Sequence, residues 1–404
     1  MSAMTVTSRW VFLALSSLAV VLSLTAWFSA TAVMPDLVAR WNLGAGEGAW
    51  LTNAVQIGFV VGALGASFFG LPDRVAPQRL MAMSATVAGV ATWGMLVAPG
   101  LAAAVALRLV TGIALAGVYP PSMQLMATWF QKGRGVALGT LIGALTLGSA
   151  TPHLIRGLGG GLDWRLVLIA AGAMGLASAL ISAFALHQGP HPFMKRAKVH
   201  LGQVGTILLN RPVMLANLGY FGHMWELYAM WAWFLAYGRA AAGAGLDLGN
   251  ASVLTFVIIA AGVPGCIVGG LLSDRIGRTY TTALMMSLSG LSALAIGFTF
   301  DGPVWLFALV AMVWGFTVIA DSAQFSAAVT ELSPPEIVGS ALAFQMGIGF
   351  ALTTITIWAV PLLAGMAGWQ WAFVVLAPGP FLGVWSMLTL RRLPEAARMA
   401  QGAR

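Results

Sequence analysis

Long apolar stretches alternate with short polar breaks along the whole chain. Twelve stretches approach the about 20 residues that a helix needs to cross a bilayer: 10–35, 48–71, 79–98, 101–129, 135–157, 165–187, 212–238, 250–272, 279–300, 303–331, 337–364 and 369–390. The breaks carry turn chemistry, as in Ala98-Pro99-Gly100, Asp301-Gly302-Pro303 and Ser333-Pro334-Pro335-Glu336. The pattern predicts an all-α integral membrane protein with twelve transmembrane helices. The longest polar interval runs from His187 to Arg211 and holds Lys195, Arg196, Lys198 and three histidines. It divides the chain into a six-helix bundle at 1–187, a central loop at 188–211 and a second six-helix bundle at 212–404. The first apolar stretch continues to Met34 without a small-residue cleavage site, so it reads as a span and not as a signal peptide.

Composition agrees with lipid as the main solvent. Charged residues are 8% of the chain and hydrophobic ones 59%, whereas a soluble domain carries about 25% charged residues. The formal charge of +8 does not point to nucleic acid, because the cations sit in the short breaks. With the N-terminus inside, one face holds Arg9, Arg74, Arg79, Lys132, Arg134, Lys195, Arg196, Lys198, Arg211, Arg275, Arg278, Arg391, Arg392, Arg398 and Arg404. The other face holds Arg40, Arg156, Arg165 and Arg239. That bias predicts both termini in the cytoplasm of a cell with an inner membrane. The single cysteine, Cys266, excludes an internal disulfide framework. The 20 methionines read as flexible packing, and no metal or cofactor is expected.

The halves repeat. Phe69-Gly70-Leu71-Pro72-Asp73-Arg74-Val75-Ala76 follows the second stretch, and Gly270-Leu271-Leu272-Ser273-Asp274-Arg275-Ile276-Gly277-Arg278 follows the eighth. The second segment resembles the G-x-x-x-D-R-x-G-R signature of the major facilitator superfamily at every fixed position. The first is degenerate, with Phe69 in the leading glycine slot and Ala76 in the later one. Arg108-x-x-x-Gly112 is similar to the superfamily's arginine-glycine motif in the fourth span. The stretch Gly117-Val118-Tyr119-Pro120 to Arg134-Gly135 is similar to the nitrate/nitrite porter and organic-anion symporter branches. The Asn-Gly-rich signature of nitrate porters is absent, and the superfamily's antiporter motif is not cleanly present. The resemblance implies two pseudo-symmetric bundles that rock about a central cavity lined by spans 1, 4, 7 and 10. It also implies that Asp73, Arg74, Asp274, Arg275 and Arg278 act as a gating latch.

Few charges fall within spans, where each costs at least about 2.5–3.5 kcal/mol. Glu226 and Asp321 are the acidic ones. His223 is three residues from Glu226 and shares its helix face, so this pair and Asp321 are candidate proton carriers. Arg108 is the cation well inside a span, suited to a buried carboxylate or an anionic substrate. Gln124, Tyr220, Gln324, Gln345, Asn53 and Gln56 are candidate substrate contacts. His153 and Arg156, near the outer end of the fifth span, could attract anions.

These residues point to a secondary active transporter that takes up a small organic or inorganic anion with protons. Efflux of drugs or metabolites is the alternative, and a transporter-like receptor is a different-class alternative. No catalytic cluster or phosphate-binding loop suggests an enzyme or an ATP-driven pump. The expected partners are a small-molecule substrate, protons and membrane lipid, with no nucleic acid, and the chain is expected to be a monomer.

Overall fold

The computed structural model describes residues 8–69, 71–130, 134–159, 163–191 and 201–404. The helical stretches follow in this order. α1 covers 9–41 in three pieces, Arg9–Leu24, Ser29–Ala32 and Met34–Trp41. α2 is Ala45–Phe68, α3 Pro77–Val97, α4 Leu101–Trp129, α5 Arg134–Leu158 and α6 Trp164–Phe184. α7 is Arg211–Gly243, α8 Ala251–Ile276, α9 Arg278–Thr299, α10 Val304–Leu332, α11 Val338–Ala367 and α12 Trp369–Arg391. Ten of these are long and apolar enough to cross a membrane. The two that fall outside that measure are α1, which is interrupted, and α7, which carries Asn217, His223, Glu226 and Arg239.

The packing repeats. α2 lies on α4, α3 on α6 and α1 on α5. In the same way α8 lies on α10, α9 on α12 and α7 on α11. The two sets meet along α2 with α11 and along α5 with α8. Close approach depends on glycine. A Cβ on Gly58 or Gly112 would collide with backbone carbonyls across the α2–α4 contact, and one on Gly265 or Gly315 would do so across α8–α10. Small residues let helices approach where lipid supplies no hydrophobic drive between them. Tryptophans reinforce this by donating to carbonyls of neighbouring helices: Trp93 to Ile169, Trp225 to Val375 and Trp233 to Ile357.

The solvent logic is that of a protein in hydrocarbon. Leu180, Phe184, Leu291, Trp305, Leu309 and Trp385 project outward, while Arg108, His223, Glu226 and Asp321 are buried. Backbone and side-chain polar groups must be satisfied internally under these conditions.

Several spans are broken where continuous helices are expected, α12 among them, at Ala377. α1 opens at 25–28 and again at Val33, and reaches Trp41. α4 opens at 116–118, just before Pro120 and Pro121, whose rings remove backbone donors. α8 is interrupted at Ala261. α10 opens at 318–321, within the β-branched run Thr317-Val318-Ile319, whose members are weak helix formers. The α4 and α10 breaks occupy matching places in the repeat.

Candidate functional site

Asp321 ends the α10 break. It stands at the N-cap position of Ser322–Leu332, yet its side chain caps nothing there. Instead it turns to α7, where His223 Nδ1 lies 2.9 Å from Asp321 Oδ1, with the two side chains 1% and 2% exposed. The approach is close, but Oδ1 accepts no directed hydrogen bond, and His223 Nε2 has no partner among the described residues. The pair is therefore held by enclosure more than by alignment. Phe325 and Tyr220 wall it in, with ring centroids 5.6 and 6.1 Å from the imidazole.

The sequence spacing suggests a His223–Glu226 pair, and the structure brings His223 to Asp321 instead. Glu226 has its own partners. Ser289 Oγ of α9 donates to Oε2 at 2.8 Å, and Trp314 Nε1 of α10 donates to Oε1 at 2.7 Å. The helix face is shared, as expected, but contacts from neighbouring helices decide each partner. Glu226 thus ties α7 to α9 and α10.

Arg108 meets no carboxylate among the described residues. Its guanidinium is fully buried and donates to Leu51 O at 3.1 Å, Ala26 O at 2.7 Å, Ser29 Oγ at 3.3 Å and Trp27 O. Opening α1 at 25–28 strips carbonyls of their helical donors, and a five-donor fork can satisfy several at once. Here its donors are spent on α1 and α2, so in this conformation they do not face a substrate.

Of the latch residues whose side chains are described, Arg278 alone makes an ion pair. Its Nη2 and Nε bind Glu331 at 2.6 and 2.7 Å, and Nη1 binds Gln324 Oε1 at 2.7 Å. Gln324, a candidate substrate contact, is thereby drawn into this tie between α9 and α10. Asp274 and Arg275 are exposed and make no ion pair among the described residues. Arg74 ends the short helix Leu71–Arg74 and is exposed. The side chain of Asp73, and Gly70, lie outside the described residues.

A cavity of about 330 Å³ lies among α2, α4 and α11, lined by Val60, Ser67, Pro120, Gln124, Leu342 and Met346 among others. It occupies the half of the bundle nearest Arg211, Arg278 and Arg391, and its walls are mostly apolar. Of the candidate substrate contacts only Gln124 lines it. The opposite end is shut. Asn53 Nδ2 donates to Thr354 O at 3.0 Å, and Asn250 Nδ2 donates to Gly157 O at 2.8 Å, both across the seam between the two sets. Gln56 is fully buried without a partner among the described residues, and Gln345 Oε1 accepts from Ser326.

Sequence reasoning missed the aromatic plug. Trp27 of α1 stacks on Tyr228 of α7 at 5.7 Å, Phe28 meets Trp231 at 6.0 Å, and Phe59 of α2 meets Phe350 of α11 at 4.9 Å. Aromatic residues in spans are too common to flag singly; the signal lies in their meeting across the two sets. Among the described residues no group of three His, Cys, Asp or Glu side chains could hold a metal ion.

Comparison with known proteins gives a consistent picture. A sequence model described as the Major Facilitator Superfamily matches residues 16–322 and 251–404. The chain is 27% identical over 223 residues to a probable sulfoacetate transporter of Cupriavidus necator, 51% of either chain. It is 26% identical over 300 residues to a niacin transporter of Acinetobacter baylyi, 66% of this chain and 67% of that one. It is 23% identical over 359 residues to a gallate transporter of Pseudomonas putida, 78% and 77% of the two chains. The match therefore spans about half the length of the sulfoacetate relative.

Proposed function

The chain belongs to the major facilitator superfamily, and from that premise we propose that it imports a small organic anion together with protons by alternating access. The observation that carries this reading is the His223–Asp321 pair, a buried acid and base on two different helices at a helix break. A buried charge in a span is costly and is retained where it binds or moves charge. Imidazole and carboxylate are both proton-accepting groups, so such a pair can carry a proton as the bundle changes state. Neutralising Asp321 removes its hold on α7 and frees the α10 break to move.

Substrate chemistry follows from the relatives and the cavity together. Sulfoacetate, niacin and gallate, named in three similar transporters, are all anions at neutral pH. Apolar cavity walls suit a flat or short apolar body, and Gln124 supplies a polar contact. We assign the basic end of the bundle to the cytoplasm by the bias of its Lys and Arg residues. The cavity then faces inward and the Asn53–Thr354 end faces out.

The test is uptake into proteoliposomes under an inward proton gradient, with radiolabelled niacin, gallate and sulfoacetate offered in turn. At least one should accumulate above equilibrium, and a protonophore should abolish the excess. Asp321→Asn should reduce uptake to simple equilibration. Accumulation that survives both the protonophore and this substitution contradicts the proposal.

A further inference from the structure

Trp27 and Phe59 of the first set face Tyr228 and Phe350 of the second. The Trp27 ring centroid lies 5.0 Å from Phe59, 5.7 Å from Tyr228 and 6.1 Å from Phe350. Phe59 and Tyr228 lie 4.9 and 5.4 Å from Phe350. All four rings are buried. They form one cluster, with two members from each side of the seam. The cluster roofs the cavity: Phe59 precedes Val60, Phe350 is one turn from Met346, and both Val60 and Met346 line the cavity wall.

Unpaired polar atoms stand beside these rings. Gln56 is one turn before Phe59 on α2, and Asn53 is one turn before Gln56. Asn53 Nδ2 donates to Thr354 O of α11 at 3.0 Å, and Phe59 meets Phe350 one turn away on the same helix. Gln56 therefore stands between two contacts that cross the seam. It is fully buried, and neither end of its amide has a partner among the described residues. The same is true of Trp27 Nε1 and Asn53 Oδ1. A buried amide left unpaired is costly, and an apolar side chain of similar size would avoid that cost. Such a group calls for a partner that comes and goes.

On the import reading, this side of the seam parts when the cavity side closes. Trp27 and Phe59 then withdraw from Tyr228 and Phe350. A gap opens with aromatic walls and an amide on its outer rim.

We propose that this cluster becomes the substrate's ring-binding site in the outward-open state, and that it takes a planar aromatic carboxylate. The ring enters between the four aromatic side chains, and the carboxylate accepts from Gln56 Nε2. The inference rests on the anion-import reading and narrows its cargo to aromatic acids. Offset or edge-to-face contacts with the protein rings hold the substrate's ring. The bond from Gln56 to a carboxylate is charge-assisted, and it gives the amide the partner it lacks. The protein rings are also the competitor. When the mouth closes they meet one another again and displace the substrate's ring inward, past Val60 and Met346, into the cavity.

The experiment is uptake of radiolabelled niacin, gallate and sulfoacetate into right-side-out membrane vesicles, read as external KM, with thermal melting of each purified variant beside it. Wild type should take niacin or gallate at a lower KM than sulfoacetate, which has no ring. Phe59→Leu should raise the KM for the aromatic acid about fivefold, the size of one aromatic pair, and leave that for sulfoacetate unchanged. Phe59→Tyr, which keeps the ring, should behave like wild type. Gln56→Leu should raise the KM for the aromatic acid about tenfold, the size of one hydrogen bond to a charged group. It should also melt at a higher temperature, because two unpaired buried atoms are gone. An unchanged KM in Phe59→Leu or Gln56→Leu overturns the ring site while the import reading stands. So does an equal rise for all three anions in Phe59→Leu, a Gln56→Leu protein that melts below wild type, or uptake of sulfoacetate alone. If wild type moves none of the three anions, the import reading falls and the ring site with it.

Discussion

Replacing Arg108 by methionine should destabilise the protein without a selective effect on substrate affinity. The substitution keeps an apolar stem of similar length and deletes the guanidinium. Three buried carbonyls, those of Ala26, Trp27 and Leu51, then lose their donor. An unsatisfied buried acceptor costs about 1–3 kcal/mol. At the low end, because removing a buried cation also recovers its desolvation cost, the three total about 3 kcal/mol. At roughly 2–4 °C per kcal/mol for a domain of this size, the apparent melting temperature should fall by about 6–12 °C. Arg108→Lys should recover part of this, since an ammonium carries charge but lacks the fork geometry. Trp27 lies in the break, so intrinsic fluorescence in a thermal ramp reports the loss. An Arg108→Met protein that melts like wild type but has a much higher KM for an anion would refute the reasoning and return Arg108 to the substrate.

Gly112→Val should abolish stable expression, because its side chain must enter the Val55 carbonyl; overpacking costs about 1–3 kcal/mol even where the backbone gives, and size-exclusion profiles of a fluorescent fusion check it. Glu226→Gln should keep proton-driven uptake yet lose about 1–2 kcal/mol of stability, since an amide cannot accept from both Ser289 and Trp314; loss of coupling in this variant would move the proton site to Glu226. Arg278→Gln and Glu331→Gln should each destabilise, with a coupling of about 1 kcal/mol in a double-mutant cycle on thermal stability, as suits a partly exposed bidentate pair.

Much of the fold is legible in the sequence because lipid imposes simple rules. Span length, cation bias and the repeated loops place the helices and suggest the two sets without tertiary information. The breaks are harder. Pro120 and Pro121 advertise the one in α4, but the one in α10 rests on a short β-branched run that helices often tolerate. Partner choice is harder still. His223 and Glu226 share a face, and only the arrival of α9 and α10 decides that Ser289 and Trp314 take the glutamate while Asp321 takes the histidine. Arg108 is conspicuous as a buried cation, yet its use depends on an α1 opening that local sequence does not signal.

The proposed coupling is entry of the anion together with a proton carried by the His223–Asp321 pair. Its most direct test is the internal pH of proteoliposomes loaded with a pH-sensitive dye, followed as niacin, gallate or sulfoacetate is added outside without a preset gradient. Acidification that begins with the anion and disappears in Asp321→Asn is the predicted result. Anion entry with no pH change, or with internal alkalinisation, would contradict it.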